Sequence, residues 1–311
     1  MMKHYSVLLE ESIEGLNLKE NGIYVDGTLG RGGHSSEILK RIPKGHLYAF
    51  DRDQSAIDES TPRLAAVGDN FTCIHTSFSH IQEALAKLGV NEIDGIVLDL
   101  GVSSPQFDEA SRGFSYRFDA PLDMRMDQSQ EKSAYQIVNE YSYQELVRIF
   151  YMYGEEKFAK QIARKIEACR AEKPIATTFE LVDVIKSALP SKVLNKKGHP
   201  AKKVFQAIRI AVNDELKELE DVLAQSLELV KPGGRICVIS FQSLEDRIVK
   251  EAFAAVSKPK QYDKRLPLLP SEMEEAPFKL VNRKPIIATE EELQENNRSH
   301  SAKLRIVERV R

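Results

Sequence analysis

The chain contains no tryptophan, so any stacking on a nucleobase must use phenylalanine, tyrosine, histidine or arginine. Its three cysteines, Cys73, Cys169 and Cys237, lie far apart and form no C-x-x-C pair. That argues against a disulfide framework or a cysteine-ligated metal and suits a reducing cytosol. No apolar run approaches the roughly 18 residues that a membrane span needs. No basic-then-apolar leader opens the chain either, because it turns acidic at Glu10 and Glu11. A cytoplasmic protein without membrane attachment or a metal site is the expectation. What remains is an ordinary globular composition, 42% apolar and 29% charged over 311 residues.

The net charge of −3 says little, but its distribution is uneven. Between Lys157 and Arg209 there are 13 Lys/Arg against 4 Asp/Glu, a local +9 set against −12 for the rest. A basic segment on an acidic body is the electrostatic footprint expected for a polyanion, although a solvated helical face gives the same composition.

The first hundred residues alternate strand and helix signals. Short apolar segments at Gly22–Asp26, His46–Asp51, Phe71–His75 and Asp94–Leu100 predict strands, with helix-length stretches between them. Near-continuous apolar strands of this kind predict a parallel sheet covered on both faces. From about Pro105 to Arg209 the strand signal disappears. A loop at Arg112–Asp127 leads into helices near Ser133–Asn139, Ser142–Tyr153, Glu155–Ala171 and Thr178–Leu189. A long helix is then predicted over Ala201–Val230, closed by Pro232, Gly233 and Gly234. Strand returns at Arg235–Phe241, helix at Ser243–Val256, an irregular Pro-rich tail at Ser257–Pro285 and a last strand at Lys303–Arg309. The expected organisation is an α/β, Rossmann-like sheet interrupted by a helical insertion. Residues 1–107 and 212–311 would form the sheet domain and 108–211 the insertion.

The first strand runs into a turn, Asp26–His34, that reads D-G-x-x-G-x-G-G-H. Such a turn brings backbone N–H groups and a helix N-terminus to a ligand. Asp51 closes the second strand, where a doubly wound fold places the carboxylate that accepts from a ribose diol. A dinucleotide fold would open the turn with glycine. The acid at Asp26 instead repels phosphate and can pair with an ammonium group. S-adenosylmethionine (SAM) carries an ammonium, a sulfonium and no phosphate, so SAM is favoured over NAD. His34 opens the following helix and is assigned to cofactor binding.

The fourth strand ends in Asp99–Gln106, D-L-G-V-S-S-P-Q. Ligands in open α/β sheets sit outside the carboxyl ends of strands. A nucleobase amine shares its lone pair with the ring, and an acceptor holding its hydrogens lets the nitrogen attack. Asp99 is the catalytic candidate for that task, and it could equally bind cofactor.

Taken in order, these segments resemble the bacterial 16S rRNA cytosine-N4 methyltransferases, the family called RsmH and formerly MraW. The matches run from Ser6–Glu10 through the glycine turn, Asp99–Gln106, Arg112–Ser115, Pro121–Asp127 and Tyr153–Glu156. They continue through His199–Ala201, Phe205–Ala207 with Arg209, Val212-Asn213 and Ser240–Arg247. The resemblance covers essentially the whole chain. It implies SAM as methyl donor and, as partner, 16S rRNA within the small ribosomal subunit or its precursor. It also implies direct transfer to N4 of a decoding-region cytosine, and a homodimer is admissible. Cofactor contacts would fall on Gly32, Gly33, His34, Asp51, Phe78, Asp99 and Gln106. The family usually has His where this chain has Gln242; an amide does not titrate near neutral pH, so no catalytic role is carried onto Gln242.

Lys202, Lys203, Arg209 and Asn213 are candidate substrate contacts on the helix beginning near Ala201, where a basic polar face suits RNA phosphates. Met124 and Met126 read as core, with Asp123, Arg125 and Asp127 ordering their loop. Ser243–Asp246 fits a capping box. Two rival readings stand beside the main one: a methyltransferase for another amine such as a DNA cytosine, and a non-catalytic RNA-binding ribosome assembly factor.

Overall fold

The computed structural model describes residues 6–102, 106–107, 109–195, 197–259 and 275–311. In chain order, helix α1 (Leu9–Leu16) precedes β1 (Ile23–Asp26), α2 (Gly33–Arg41), β2 (His46–Asp51), α3 (Gln54–Ala65), β3 (Phe71–His75), α4 (Ile81–Lys87) and β4 (Ile93–Asp99). A helical stretch follows with α5 (Ala134–Glu140), α6 (Tyr143–Met152), α7 (Ala159–Glu172), α8 (Thr178–Ala188), α9 (Ser191–Leu194) and α10 (Lys202–Asn213). The chain then forms α11 (Glu215–Leu229), β5 (Val230–Ser240), α12 (Ser243–Val256), β6 (Phe278–Leu280), α13 (Glu290–Glu295) and β7 (Lys303–Arg309).

Contacts divide the chain into two units, Met1–Gly101 with Lys217–Arg311, and Val102–Leu216. The first is built on a seven-stranded sheet of order β3-β2-β1-β4-β5-β7-β6. β3, β2, β1, β4 and β5 pair in parallel, and β7 runs antiparallel between β5 and β6. The strand order reverses between β1 and β4, which opens a crevice at their carboxyl ends.

Alternate strand residues supply two separate cores. Tyr24, Leu47, Ala49, Val97, Cys237 and Ile239 pack on one face with Ile38, Leu39, Ile57 and Leu64 from α2 and α3. Val25, Phe50, Ile96, Leu98, Ile236 and Val238 pack on the other with Leu85, Leu219, Val222 and Phe253. This two-sided burial explains why the strands read as continuous apolar runs.

The second unit has its own core, in which Leu122, Met124 and Met126 pack among Ile137, Phe150, Ile162, Ile185 and Ile208. The methionines are buried as expected. The charged residues of their loop bond mostly within the loop: Arg125 grips Asp123 in two hydrogen bonds, and Arg112 donates to the carbonyls of Arg125 and Met126.

Four expectations about elements need correction. The long helix over Ala201–Val230 is two helices, because Asp214 takes a left-handed φ of 49° and ends α10. The following strand begins at Val230 rather than Arg235, passing through the Pro-Gly-Gly stop with a register shift. The capping box of α12 is formed by Gln242 and Glu245, one residue earlier than Ser243–Asp246. The tail read as irregular contains β6, while residues 260–274 of it lie outside the described set. Among the described residues no helix is long and apolar enough to cross a membrane.

Candidate active site

Because β1, β2 and β4 run in parallel, their terminal acids Asp26, Asp51 and Asp99 emerge at the same edge of the sheet. The turn after β1 is held to its neighbours through its backbone. Gly27 N–H donates to the Val97 carbonyl and Leu29 N–H to the Phe50 carbonyl, both at 2.9 Å. The Thr28 hydroxyl accepts from Asp99 N–H at 2.7 Å, which ties the turn to the end of β4.

Gly30 and Gly32 have φ of 47° and 72°, conformations that favour glycine. Gly33 has a different constraint: a Cβ there would lie 1.8 Å from the Ser6 hydroxyl oxygen. Gly32 caps α2, so His34 sits in its first turn, buried, with Nε2 lacking a partner. Burial lowers the imidazole pKa, against opposing effects from Asp26, the Val7 backbone and Glu292.

Asp26 is 1% exposed and both its oxygens are engaged within the turn, accepting from Thr28 N–H at 3.0 Å and the Ser35 hydroxyl at 2.7 Å. Its first role is therefore to shape the turn, while its charge still faces the crevice acids. Asp51 accepts from Gly30 N–H at 2.8 Å and Asp53 N–H at 2.9 Å. Burial pushes its carboxyl up to about 6, with the charges of Asp53 and Asp26 adding to the effect and the two hydrogen bonds opposing it.

Asp99 carries the larger perturbation. Burial pushes its carboxyl up to about 8, and the neighbouring charges of Asp26, Glu245 and Glu292 add to the rise. Its Oδ1 is buried without a hydrogen-bond partner. An acceptor left in this state is costly unless a ligand satisfies it.

Phe78 follows β3 in a short turn, with the Arg52 guanidinium 5.9 Å from its ring centre. It borders the glycine turn, since a Cβ on Gly27 would lie 3.6 Å from that of Phe78. Arg52 is ion-paired with Glu218. Gln106 is buried and belongs to the second unit; Ser103, Ser104 and Pro105 before it lie outside the described residues. Gln242 donates through its amide to Glu245 at 2.9 Å, so the structure gives this position a hydrogen-bonding, helix-capping role.

Two acids of this crevice were not singled out from the sequence. Glu245 was visible only as a capping residue, and its carboxylate does accept from the N–H groups of Phe241 and Gln242. Glu292 had no local signal. It accepts from Leu8 N–H, 284 residues away in sequence, and from the Ser299 hydroxyl.

The substrate candidates lie in the second unit and differ from one another. Asn213 is buried and clamps the methionine loop, accepting from Met126 N–H and donating to the Met124 carbonyl, both at 2.8 Å. Arg209 forms a two-bond ion pair with Glu215. Lys203 is exposed but donates to the Glu155 carbonyl at 2.8 Å. Lys202 is exposed at the first position of α10.

A doubly wound sheet, a glycine turn at its switch point and a crevice of like-charged acids define a nucleoside-binding α/β protein that favours a cationic ligand. The profile of the MraW methylase family matches residues 1–310, and the chain belongs to that family of SAM-dependent methyltransferases. It is 57% identical over 310 residues to the "Ribosomal RNA small subunit methyltransferase H" of Limosilactobacillus fermentum, covering 99% of this chain and 98% of the relative. It is 56% identical over 311 residues to the protein of the same name from Exiguobacterium sibiricum, covering 100% of this chain and 99% of that one. A solved rRNA methylase from Streptococcus thermophilus aligns over 100% of this chain and 99% of its own, at 11% identity and a TM-score of 0.44.

The crevice suits SAM on its own chemistry. The glycine turn is tied to Asp51 through Gly30 N–H, and the unpartnered acceptor of Asp99 sits among carboxylates that favour positive charge.

Proposed function

We propose that this chain methylates small-subunit ribosomal RNA, and that its target is N4 of a cytosine in the decoding region of 16S rRNA. The observation that carries the reading is Asp99, with an unpartnered acceptor at the carboxyl end of β4 beside the glycine turn. The substrate class is taken from the two relatives named above, and the cytosine position from the sequence resemblance.

In this reading Gly32, Gly33 and His34 hold the cofactor's polar end, Asp51 accepts from its ribose and Phe78 packs on its adenine. Gln106 completes the set by resemblance. SAM supplies, when bound, an electrophilic methyl group on a sulfonium. The rest is done by the chain. Asp99 ionises when positive charge is brought beside it and then accepts from the amine hydrogens, which orients the nitrogen lone pair. The burial and neighbouring charges that raise its carboxyl also let the ionised Asp99 take up and keep the proton the amine loses, once that positive charge is gone. The target base must leave its stack to reach such a crevice. The insertion supplies RNA phosphate contacts, and the whole reaction takes place in the cytoplasm, where ribosomal subunits are assembled.

Competition separates this from methylation of DNA. With labelled SAM and undermodified small subunits, unlabelled duplex DNA in excess should leave incorporation unchanged. Transfer of label to the DNA would overturn the substrate assignment. Labelled rRNA would also dismiss a non-catalytic assembly factor.

A further inference from the structure

The second unit carries a surface that α10 did not announce. Tyr116 and His199 stack with ring centres 4.2 Å apart and 9° between their planes. The chain following Tyr116 is tied to the start of α8: the Thr178 hydroxyl donates to the Phe118 carbonyl at 2.6 Å, and Phe179 N–H to Asp119 at 3.3 Å. These bonds hold together the two backbone segments that carry two exposed aromatics, Phe118 at 47% exposure and Phe179 at 44%. Two exposed phenylalanines anchored by backbone bonds are not needed to close the core beneath them, which is complete without them.

Two cations act on the His199 ring. Arg117 and Lys186 are exposed, and both act on His199, where burial and these two positive charges lower the imidazole pKa. His199 is therefore a neutral ring at neutral pH, fit for stacking. Lys186 lies seven residues beyond Phe179 on α8, two turns along the same face. Lys202 follows three residues after His199, its backbone N–H donating to the His199 carbonyl at 3.1 Å, and is exposed. Of the acids on these segments, Asp119 is engaged with Phe179 N–H, Glu180 is paired with Lys173 at 2.7 Å, and Asp183 is exposed on α8.

We infer that Tyr116–Phe118, Phe179, Lys186 and His199 form a docking surface for single-stranded RNA, with Lys202 at its margin. Aromatic faces take unpaired bases while Arg117, Lys186 and Lys202 take phosphates, the combination that single strands require. Duplex nucleic acid would use the cations but offer no free base to the rings. The inference rests on the RNA reading above and moves its contacts from Arg209 and Asn213, which are engaged in the unit's own structure, to this face.

The test is fluorescence anisotropy with a labelled single-stranded RNA copied from the decoding region, using full-length protein and monitoring SAM binding in parallel. Replacing Arg117, Lys186 and Lys202 together by Ala should weaken RNA binding about tenfold or more and flatten the log–log salt slope by about 2. Phe118→Ala with Phe179→Ala should weaken it about fivefold or more with the salt slope unchanged. Tyr at both positions should restore binding, and Lys160→Ala on α7 should have no effect. If the wild-type protein binds the RNA and both patch variants bind equally well, the surface is wrong while the RNA reading stands. Displacement by duplex RNA as efficient as by single strands would overturn the stacking role. If the wild-type protein binds SAM but neither binds nor methylates RNA, the RNA reading falls and this inference with it.

Discussion

Asp99 shows how strongly a single side chain registers its surroundings. Its carboxyl reaches about 8 through burial and the charges of Asp26, Glu245 and Glu292. A carboxyl whose pKa rises on folding binds its proton more tightly in the native than in the unfolded chain. Stability from this group is therefore greatest below the ordinary carboxylate value of about 4 and declines as pH rises toward about 8. Asp51, raised to about 6, adds to the decline over the lower part of that window. Thermal unfolding of the protein without cofactor should show this fall, and Asp99→Asn should flatten it between about 6 and 8. A cation bound beside Asp99 expels its proton, so the calorimetric heat of SAM binding at neutral pH should depend on the buffer's ionisation enthalpy. The dependence should shrink in Asp99→Asn; equal dependence in both proteins would remove Asp99 from the cofactor's surroundings. Asp26, Asp51 and Asp99 were legible in the sequence because each ends an apolar strand. Glu292 was not, since its importance comes from a contact with the opposite end of the chain and leaves no local pattern.

At the scale of elements, local rules read well wherever one segment decides its own fate. The capping boxes of α5, α6 and α8, at Ser133–Gln136, Ser142–Glu145 and Thr177–Glu180, start helices where the sequence placed them to within a residue or two. The break between α10 and α11 was hidden because Asp214 is no conventional helix breaker and apolar residues continue through both helices. α1, α9, α13 and β6 are short, from three to eight residues, too short for a periodic apolar pattern to stand out. The glycine turn lies between these cases, since its residues announce it but its neighbours fix its shape. Gly32 at φ 72° should tolerate alanine poorly: Gly32→Ala is expected to cost about 1–2 kcal/mol by chemical denaturation and to weaken SAM binding. Gly32→Asn should recover part of the loss, because Asn adopts the left-handed region more readily. Unchanged stability in Gly32→Ala would mean that the turn is looser than its hydrogen bonds imply.

At the scale of the whole molecule, the sheet order and the helical unit divide the proposed work. One unit presents the acid-lined crevice and the other an aromatic, cationic face. The sheet was legible because two-sided burial writes continuous apolar strands. The proposed RNA face was not, because its rings and cations come from Tyr116–Phe118, α8 and His199, far apart in sequence and without periodicity. Only the net basic charge of Lys157–Arg209 hinted at it. The central claim is methyl transfer at Asp99 to the exocyclic nitrogen of one cytosine in 16S rRNA. Its most direct test is to treat undermodified small subunits with isotopically labelled SAM, digest the 16S rRNA to nucleosides and identify the labelled species by mass spectrometry. The account predicts label on N4-methylcytidine from a single decoding-region position, lost in Asp99→Ala although that variant remains folded. Label on another atom or base, or full incorporation by Asp99→Ala, would contradict it.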